Sequence, residues 1–260
     1  MVQRTSGLTI AQQREAAEIL VNLNGTADKI EALPPNLQPD DLAEAYAVQQ
    51  QAHGLLAQRG KAYGWKIGAT NQAARVMVGS EAPFYGRMFD HTRWQNGAQI
   101  AFSNLGMTVI EPEFAFELGA DLPTGASLED TQAAISRVVL SIEVVSSRFR
   151  AGLGAGVLNH VMDNGVHHGW VEGPSSFDWR DLEAVNVTLL QNSETVATGS
   201  GAAVEGGPVS MVTWLANQGV ALKAGDIITT GTTVKPPFGA ADDQFEAIFE
   251  GLGSVRLSLT

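Results

Sequence analysis

From Thr9 to about Val21, the apolar residues Ile10, Ala16, Ala17, Ile19 and Leu20 recur among Gln, Arg and Glu at a spacing that predicts an amphipathic helix. A connector containing Pro34, Pro35 and Pro39 follows. Asp40 and Asp41 then stand where an N-cap and a first-turn acid belong. The Ala-, Leu- and Gln-rich stretch after them predicts a second helix to about Arg59, ending before Gly60. Beyond Gly60 the texture changes to short β-type runs punctuated by Gly, Pro, Asn and Asp. Strands are predicted at Ala62–Ile67, Thr108–Leu118, Arg137–Val145, Val185–Gln191, Thr195–Ser200, Asp226–Thr230, Phe245–Phe249 and Ser254–Leu259. Asn192-Ser193 predicts a hairpin turn between two of them. Two helices interrupt the strands. One runs from Asn71 to about Met77, and the other starts at Pro208, a favourable first helical position, and runs to Gly219. The pattern predicts an α+β chain: a helical segment over residues 1–60 and a β-rich main domain over 61–260.

Composition narrows the class. Of 260 residues, 44% are hydrophobic and 17% charged, which suits a globular chain with a sizeable core. Sixteen Lys and Arg against 28 Asp and Glu give a formal charge of −12, the wrong sign for a partner made of phosphates. The absence of Cys excludes disulfides, thiolate metal sites and cysteine nucleophiles. No apolar run approaches the roughly 20 residues that span a bilayer, and the polar residues near the start do not resemble a signal peptide. The expected setting is the cytoplasm and the expected partner a small molecule, with no nucleic acid and no membrane.

Candidate chemistry is concentrated in a few runs. In Val109-Ile110-Glu111-Pro112-Glu113-Phe114-Ala115-Phe116-Glu117, a strand puts Glu111, Glu113, Ala115 and Glu117 on one face, and Ile110, Phe114 and Phe116 on the other. Neighbouring carboxylates repel unless a cation lies between them or one takes up a proton; a solvated strand face is the alternative. Glu143 interrupts the apolar run Val138–Val145, and must find a cation, a base or the surface. Three such acids would leave positions of an octahedral Mg²⁺ or Mn²⁺ open to water and substrate. Lys66, in Gly64-Trp65-Lys66-Ile67-Gly68, is oddly placed for a solvated lysine; it could balance the acids, act as a base, or reach water from a strand end.

These runs, with Asp163-Asn164, Gly206-Gly207-Pro208, Lys223-Ala224-Gly225-Asp226 and Thr230-Gly231-Thr232, resemble the 2-keto-4-pentenoate hydratase and 4-oxalocrotonate decarboxylase family of the fumarylacetoacetate hydrolase superfamily. The ordered set spans almost the whole chain. The resemblance implies a mixed β-roll of the fumarylacetoacetate hydrolase C-terminal type and a Mg²⁺ or Mn²⁺ held by Glu111, Glu113 and Glu143. It implies that Lys66 faces the metal-bound substrate as the catalytic residue, with Asp163 and Asn164 at a turn near the pocket. Thr232 of the matching tail, and His167 and Lys235 outside the family pattern, are further candidates to meet the substrate. A third metal position filled by Glu143, where the hydrolases commonly have Asp, points to the hydratase and decarboxylase branch.

The departures are equally specific. Where the family usually carries an acid in Pro-Asp-Tyr/Phe-Gly, this chain has Pro83-Phe84-Tyr85-Gly86, and Glu81 is nearby only in sequence. His167 or His168 could supply the missing acid or base, or form a surface pair. Lys235, in Val234–Gly239, could meet a substrate acid or belong to a solvated loop. The expected activity is metal-dependent hydration of a 2-hydroxy-2,4-dienoate. Rival expectations are decarboxylation of a 2-oxo diacid, hydrolysis of an acylpyruvate, or a catalytically silent partner subunit. A homo-oligomer is expected, or a hydratase–decarboxylase complex.

Overall fold

The computed structural model describes residues 7–260. Helices α1 (Ile10–Leu23) and α2 (Leu42–Leu56) come first, followed by β1 (Ala62–Gly68), α3 (Gln72–Val78), β2 (Phe84–Phe89), β3 (Arg93–Gln95) and β4 (Ala98–Ile100). The long strands β5 (Thr108–Leu118) and β6 (Ile135–Ser146) flank α4 (Leu128–Ala134), and α5 (Val157–Met162) leads into β7 (His167–Ser176). The hairpin β8 (Asn186–Gln191) and β9 (Glu194–Ser200), helix α6 (Pro208–Ala216), and strands β10 (Ile227–Thr232), β11 (Gln244–Phe249) and β12 (Gly253–Leu259) complete the chain.

A seven-stranded mixed sheet has the order β2-β1-β10-β5-β6-β7-β3, and a five-stranded sheet the order β4-β12-β11-β8-β9. The apolar face of β5 and β6, including Ile110, Phe114, Phe116, Leu140 and Ile142, shares the main core with Phe245, Phe249 and Leu257 of the second sheet. Phe114 meets Phe249 edge-on at 5.2 Å between centroids. Alternation along β5 therefore places Glu111, Glu113, Ala115 and Glu117 on the face turned away from that core.

Local signals explain much of this outline. Asp41 caps α2 by accepting from Glu44 N at 2.9 Å, and Asn71 caps α3 by accepting from Ala74 N at 2.9 Å. Asn192 and Ser193 both have positive φ, as a two-residue hairpin turn demands. Helix α6 stops at Ala216 rather than Gly219. Strands β2, β3, β4 and β7 and helices α4 and α5 were not predicted. Helix α1 buries Ala16, Ala17, Leu20 and Val21 and leaves Ile10 exposed.

The helical segment is packed onto the sheet rather than tethered to it. Leu20, Ala45, Val48 and Leu56 share one core with Phe84, Phe89, Val161 and Met162. Buried Gln49 of α2 donates through Nε2 to Tyr85 O at 2.7 Å and to Val161 O at 2.8 Å, joining α2 to β2 and α5. Among the described residues, no helix is long and apolar enough to cross a membrane.

Candidate metal and substrate site

Strand register brings the acids together. Glu111 lies directly opposite Glu143 across the β5–β6 ladder, and Glu113 opposite Ser141, one step along the same face. Ligand oxygens from Glu111, Glu113 and Glu143 lie within 4.8 Å of one another. Strand β10 aligns Thr229 with Lys66 on one side and with Ala115 on the other, so β1 presents Lys66 to the same face. Lys66 is 2% exposed; its Nζ donates to Gly165 O at 2.9 Å and lies 3.3 Å from Glu143 Oε1. Glu143 is thus on an interior strand, not an edge, and Lys66 does not reach bulk water.

The surroundings of these acids are unequal. Glu143 Oε1 lies 2.7 Å from His167 Nδ1. A carboxylate can only accept, so Nδ1 carries the ring proton. Glu113 Oε2 accepts from Gly231 N at 3.0 Å. Gly231 has φ +96°, and a Cβ there would collide with Thr70 Oγ1, so glycine is what lets this backbone reach the acid. Glu113 Oε1 and Glu143 Oε2 are buried with no hydrogen-bond partner among the described residues.

Charge behaviour follows from this crowding. Burial, and then the charge of Glu143, push Glu111 up to about 7. Burial, Glu143 and Glu111 together push Glu113 well above the carboxylate range. Burial opposes the ionised form of Glu143 as well, but Lys66 and His167 outweigh it and hold that acid low. Burial likewise disfavours the Lys66 ammonium, and the three carboxylates outweigh it in the other direction. Three oxygen donors with two buried, unsatisfied oxygens suit a hard divalent cation, which takes carboxylate ligands and removes the repulsion. The donor set fits the implied metal.

A cavity of about 420 Å³ opens over this cluster. Lys66, Phe84, Glu111, His160, Thr232 and Lys235 are among its walls. Lys66 Nζ stands 5.8 Å from the Phe84 ring centroid. Of the five residues expected to face the substrate, Thr232 and Lys235 line this cavity. The other three stand behind its walls.

Asp163 binds Arg148 through a short side-chain ion pair, and its Oδ2 accepts from Arg148 N at 2.8 Å and Ser147 Oγ at 3.3 Å. Asn164 Oδ1 accepts from Arg87 N, and its Nδ2 donates to Arg87 O, both at 2.8 Å. His53 Nε2 donates to the same Oδ1 at 2.8 Å. These two residues lock the turn whose next carbonyl, Gly165 O, holds Lys66. His167 is committed to Glu143, and His168 is buried with its ring stacked on Trp94. The pair is therefore not a surface pair. Sequence reasoning overlooked His160; the signal was a lone imidazole in the apolar run Val157–Met162.

Residues 71–260 match the fumarylacetoacetate (FAA) hydrolase C-terminal family, and the chain belongs to that family. It is 31% identical to 2-keto-4-pentenoate hydratase of Paraburkholderia xenovorans (strain LB400), covering 96% of this chain and 95% of that protein. It is 30% identical to 4-oxalocrotonate decarboxylase of Pseudomonas putida, covering 98% of this chain and 97% of the relative. The solved 4-oxalocrotonate decarboxylase from Pseudomonas putida G7, complexed with magnesium and adipate, superposes with a TM-score of 0.91 at 30% identity. That match covers 99% of this chain and all of the other. The mixed β-roll with a helical N-terminal segment is thus the fold of this family.

Proposed function

We propose that this protein is a divalent-metal-dependent hydro-lyase that adds water to a 2-hydroxy-2,4-dienoate of the 2-oxo-4-pentenoate type, giving a 4-hydroxy-2-oxo acid. The observation that carries this reading is the trio Glu111, Glu113 and Glu143, with unsatisfied buried oxygens, beneath a cavity that Lys66 also lines. Mg²⁺ or Mn²⁺ held by these acids supplies a Lewis acid that stabilises negative charge on the oxygen of a 2-oxo acid.

The chain's own groups do the rest. Lys66 is oriented by Gly165 O and Glu143, and its ammonium donates to the substrate's 2-oxygen, assisting the loss of the hydroxyl proton and so ketonisation to an α,β-unsaturated ketone. Conjugation makes C4 electrophilic, and water adds there. His167 fixes the orientation of Glu143 through Nδ1. Lys235 offers donors to a carboxylate elsewhere in the cavity, while Thr232 lines it with its hydroxyl proton donated to Val234 O at 3.0 Å.

Two observations favour a second reading, decarboxylation of a 2-oxo diacid. Phe84 contributes no acid to the wall, and Lys235 is an exposed cation suited to a second carboxylate. That route leaves an enolate after CO₂ loss and needs no activated water. Assay of 2-hydroxypenta-2,4-dienoate and of the matching diacid, following water addition and CO₂ release separately, distinguishes the two. For hydration, chelation abolishes turnover and Mg²⁺ or Mn²⁺ restores it. Lys66→Ala retains cation binding but loses about 10²-fold or more in kcat. Full activity of a metal-stripped protein overturns the three-acid site.

A further inference from the structure

Water addition needs a group to take a proton, and most polar cavity residues are unsuited to it. Lys66 and Lys235, as ammonium groups, carry donors only, and Glu111 belongs to the cation-binding set. Asn71 spends its Oδ1 on the cap of α3. His160 differs. It stands on α5 beside Phe84, with ring centroids 6.0 Å apart, and is a buried residue of the cavity wall. Its Nε2 lies 3.2 Å from Gly152 O. A carbonyl oxygen can only accept, so Nε2 holds the ring proton. Burial pushes the imidazole down to about 4, so the ring is neutral at physiological pH and Nδ1 is a bare acceptor. That Nδ1 is buried with no hydrogen-bond partner among the described residues. Such an atom destabilises the fold unless a donor meets it.

We propose that His160 is the catalytic group that binds the adding water through Nδ1 and takes its proton, on a wall where Phe84 offers no acceptor. The inference rests on the hydratase reading above. In the unsaturated ketone, a lone pair of water forms the C4–O bond while one O–H bond breaks and its proton passes to Nδ1. The C3=C4 pair moves into the C2–C3 bond and the carbonyl pair onto oxygen, giving an enolate. Return of the proton from Nδ1 to C3 restores the ketone and the neutral imidazole. H and OH are thereby added across C3=C4 with no oxidant or reductant.

Two substitutions separate this role from a structural one. In His160→Gln, the amide nitrogen takes the place of Nε2, keeping the bond to Gly152 O and removing the acceptor. In His160→Asn, the amide oxygen takes the place of Nδ1, keeping an acceptor and losing the bond to Gly152 O. With 2-hydroxypenta-2,4-dienoate and Mg²⁺, His160→Gln is expected to unfold and bind the cation as the parent does. Its kcat for water addition falls about 10²-fold or more. Solvent deuterium still enters C5 through ketonisation at the parent rate, and His160→Asn retains more hydration than His160→Gln. Parent-level hydration in His160→Gln overturns the proposal, as does greater activity in Gln than in Asn that follows thermal stability. A parent protein that exchanges deuterium or releases CO₂ but adds no water overturns the hydratase reading itself, and the proposal falls with it.

Discussion

Asp163 and Glu113 are both acids with almost no exposed surface, and their surroundings differ in kind. Asp163 has both oxygens engaged, with Arg148 supplying a backbone and a side-chain donor and Ser147 a hydroxyl. Arg148 in turn donates to Asp163 O at 2.6 Å. Glu113 has one oxygen on Gly231 N and the other unsatisfied, with Glu111 and Glu143 beside it. A buried charge with matched donors is part of the scaffold; a group of buried charges with too few donors is stable only when something else arrives. The difference teaches that burial alone does not mark a functional acid. The unsatisfied oxygen does.

The largest effect that sharpens this contrast is expected from Glu113→Gln. Turnover falls by about 10³-fold, or ~4 kcal/mol in transition-state stabilisation, because a cation ligand is lost. Thermal unfolding of the chelated protein shows equal or higher stability, because repulsion is relieved. A clear loss of metal-free stability would make Glu113 a scaffold acid like Asp163. Next is Asp163→Ala, expected to lose about 3–5 kcal/mol in urea unfolding because Arg148 is left buried and unpaired.

His53 tests the neutral side of the same turn. Burial pushes its imidazole from 6.5 down to about 4, so the unfolded chain binds a proton that the folded chain refuses. Stability therefore falls as pH falls from about 6.5, by up to about 2 kcal/mol at pH 5. His53→Gln keeps a donor for Asn164 Oδ1, and the difference between its pH–stability slope and the parent's measures this. The smallest effect belongs to Glu117, on the same strand face as Glu113. It is paired with Arg137, and the two side chains are 28% and 29% exposed. Glu117→Gln should change stability by about 1 kcal/mol or less and leave cation affinity untouched, as calorimetric titration with Mn²⁺ would record.

How much of this was legible in the sequence follows from the range of each signal. The two-residue spacing of Glu111 and Glu113, and the interrupted apolar run at Glu143, are local, and so were visible. Their meeting depends on the β5–β6 register, which no local pattern states. Asp163 and Asn164 were expected towards the substrate, but their partners Arg148, Arg87 and His53 are distant or unremarkable in sequence. Strand β7 begins His167-His168-Gly169 and lacks a clean alternation; its pairing with β6 makes it a strand. Strand β2 holds Gly86 and Arg87 among aromatic residues, and helix α5 is shorter than two turns. With α5 unread, His160 had no wall to belong to.

Gln49 has a consequence for how substrate range could drift. Its two hydrogen bonds hold the backbones at Tyr85 and Val161 to one amide nitrogen, and those residues adjoin Phe84 and His160. The amide is a spacer that gauges the gap between two facing walls. No residue of α2 lines the cavity, yet Gln49 of α2 ties together the backbones next to two residues that do. Substitutions that shift this helix by a fraction of an ångström would widen or narrow the passage for a longer substrate tail. A lineage could then retune what it accepts while every residue that touches the substrate stays the same.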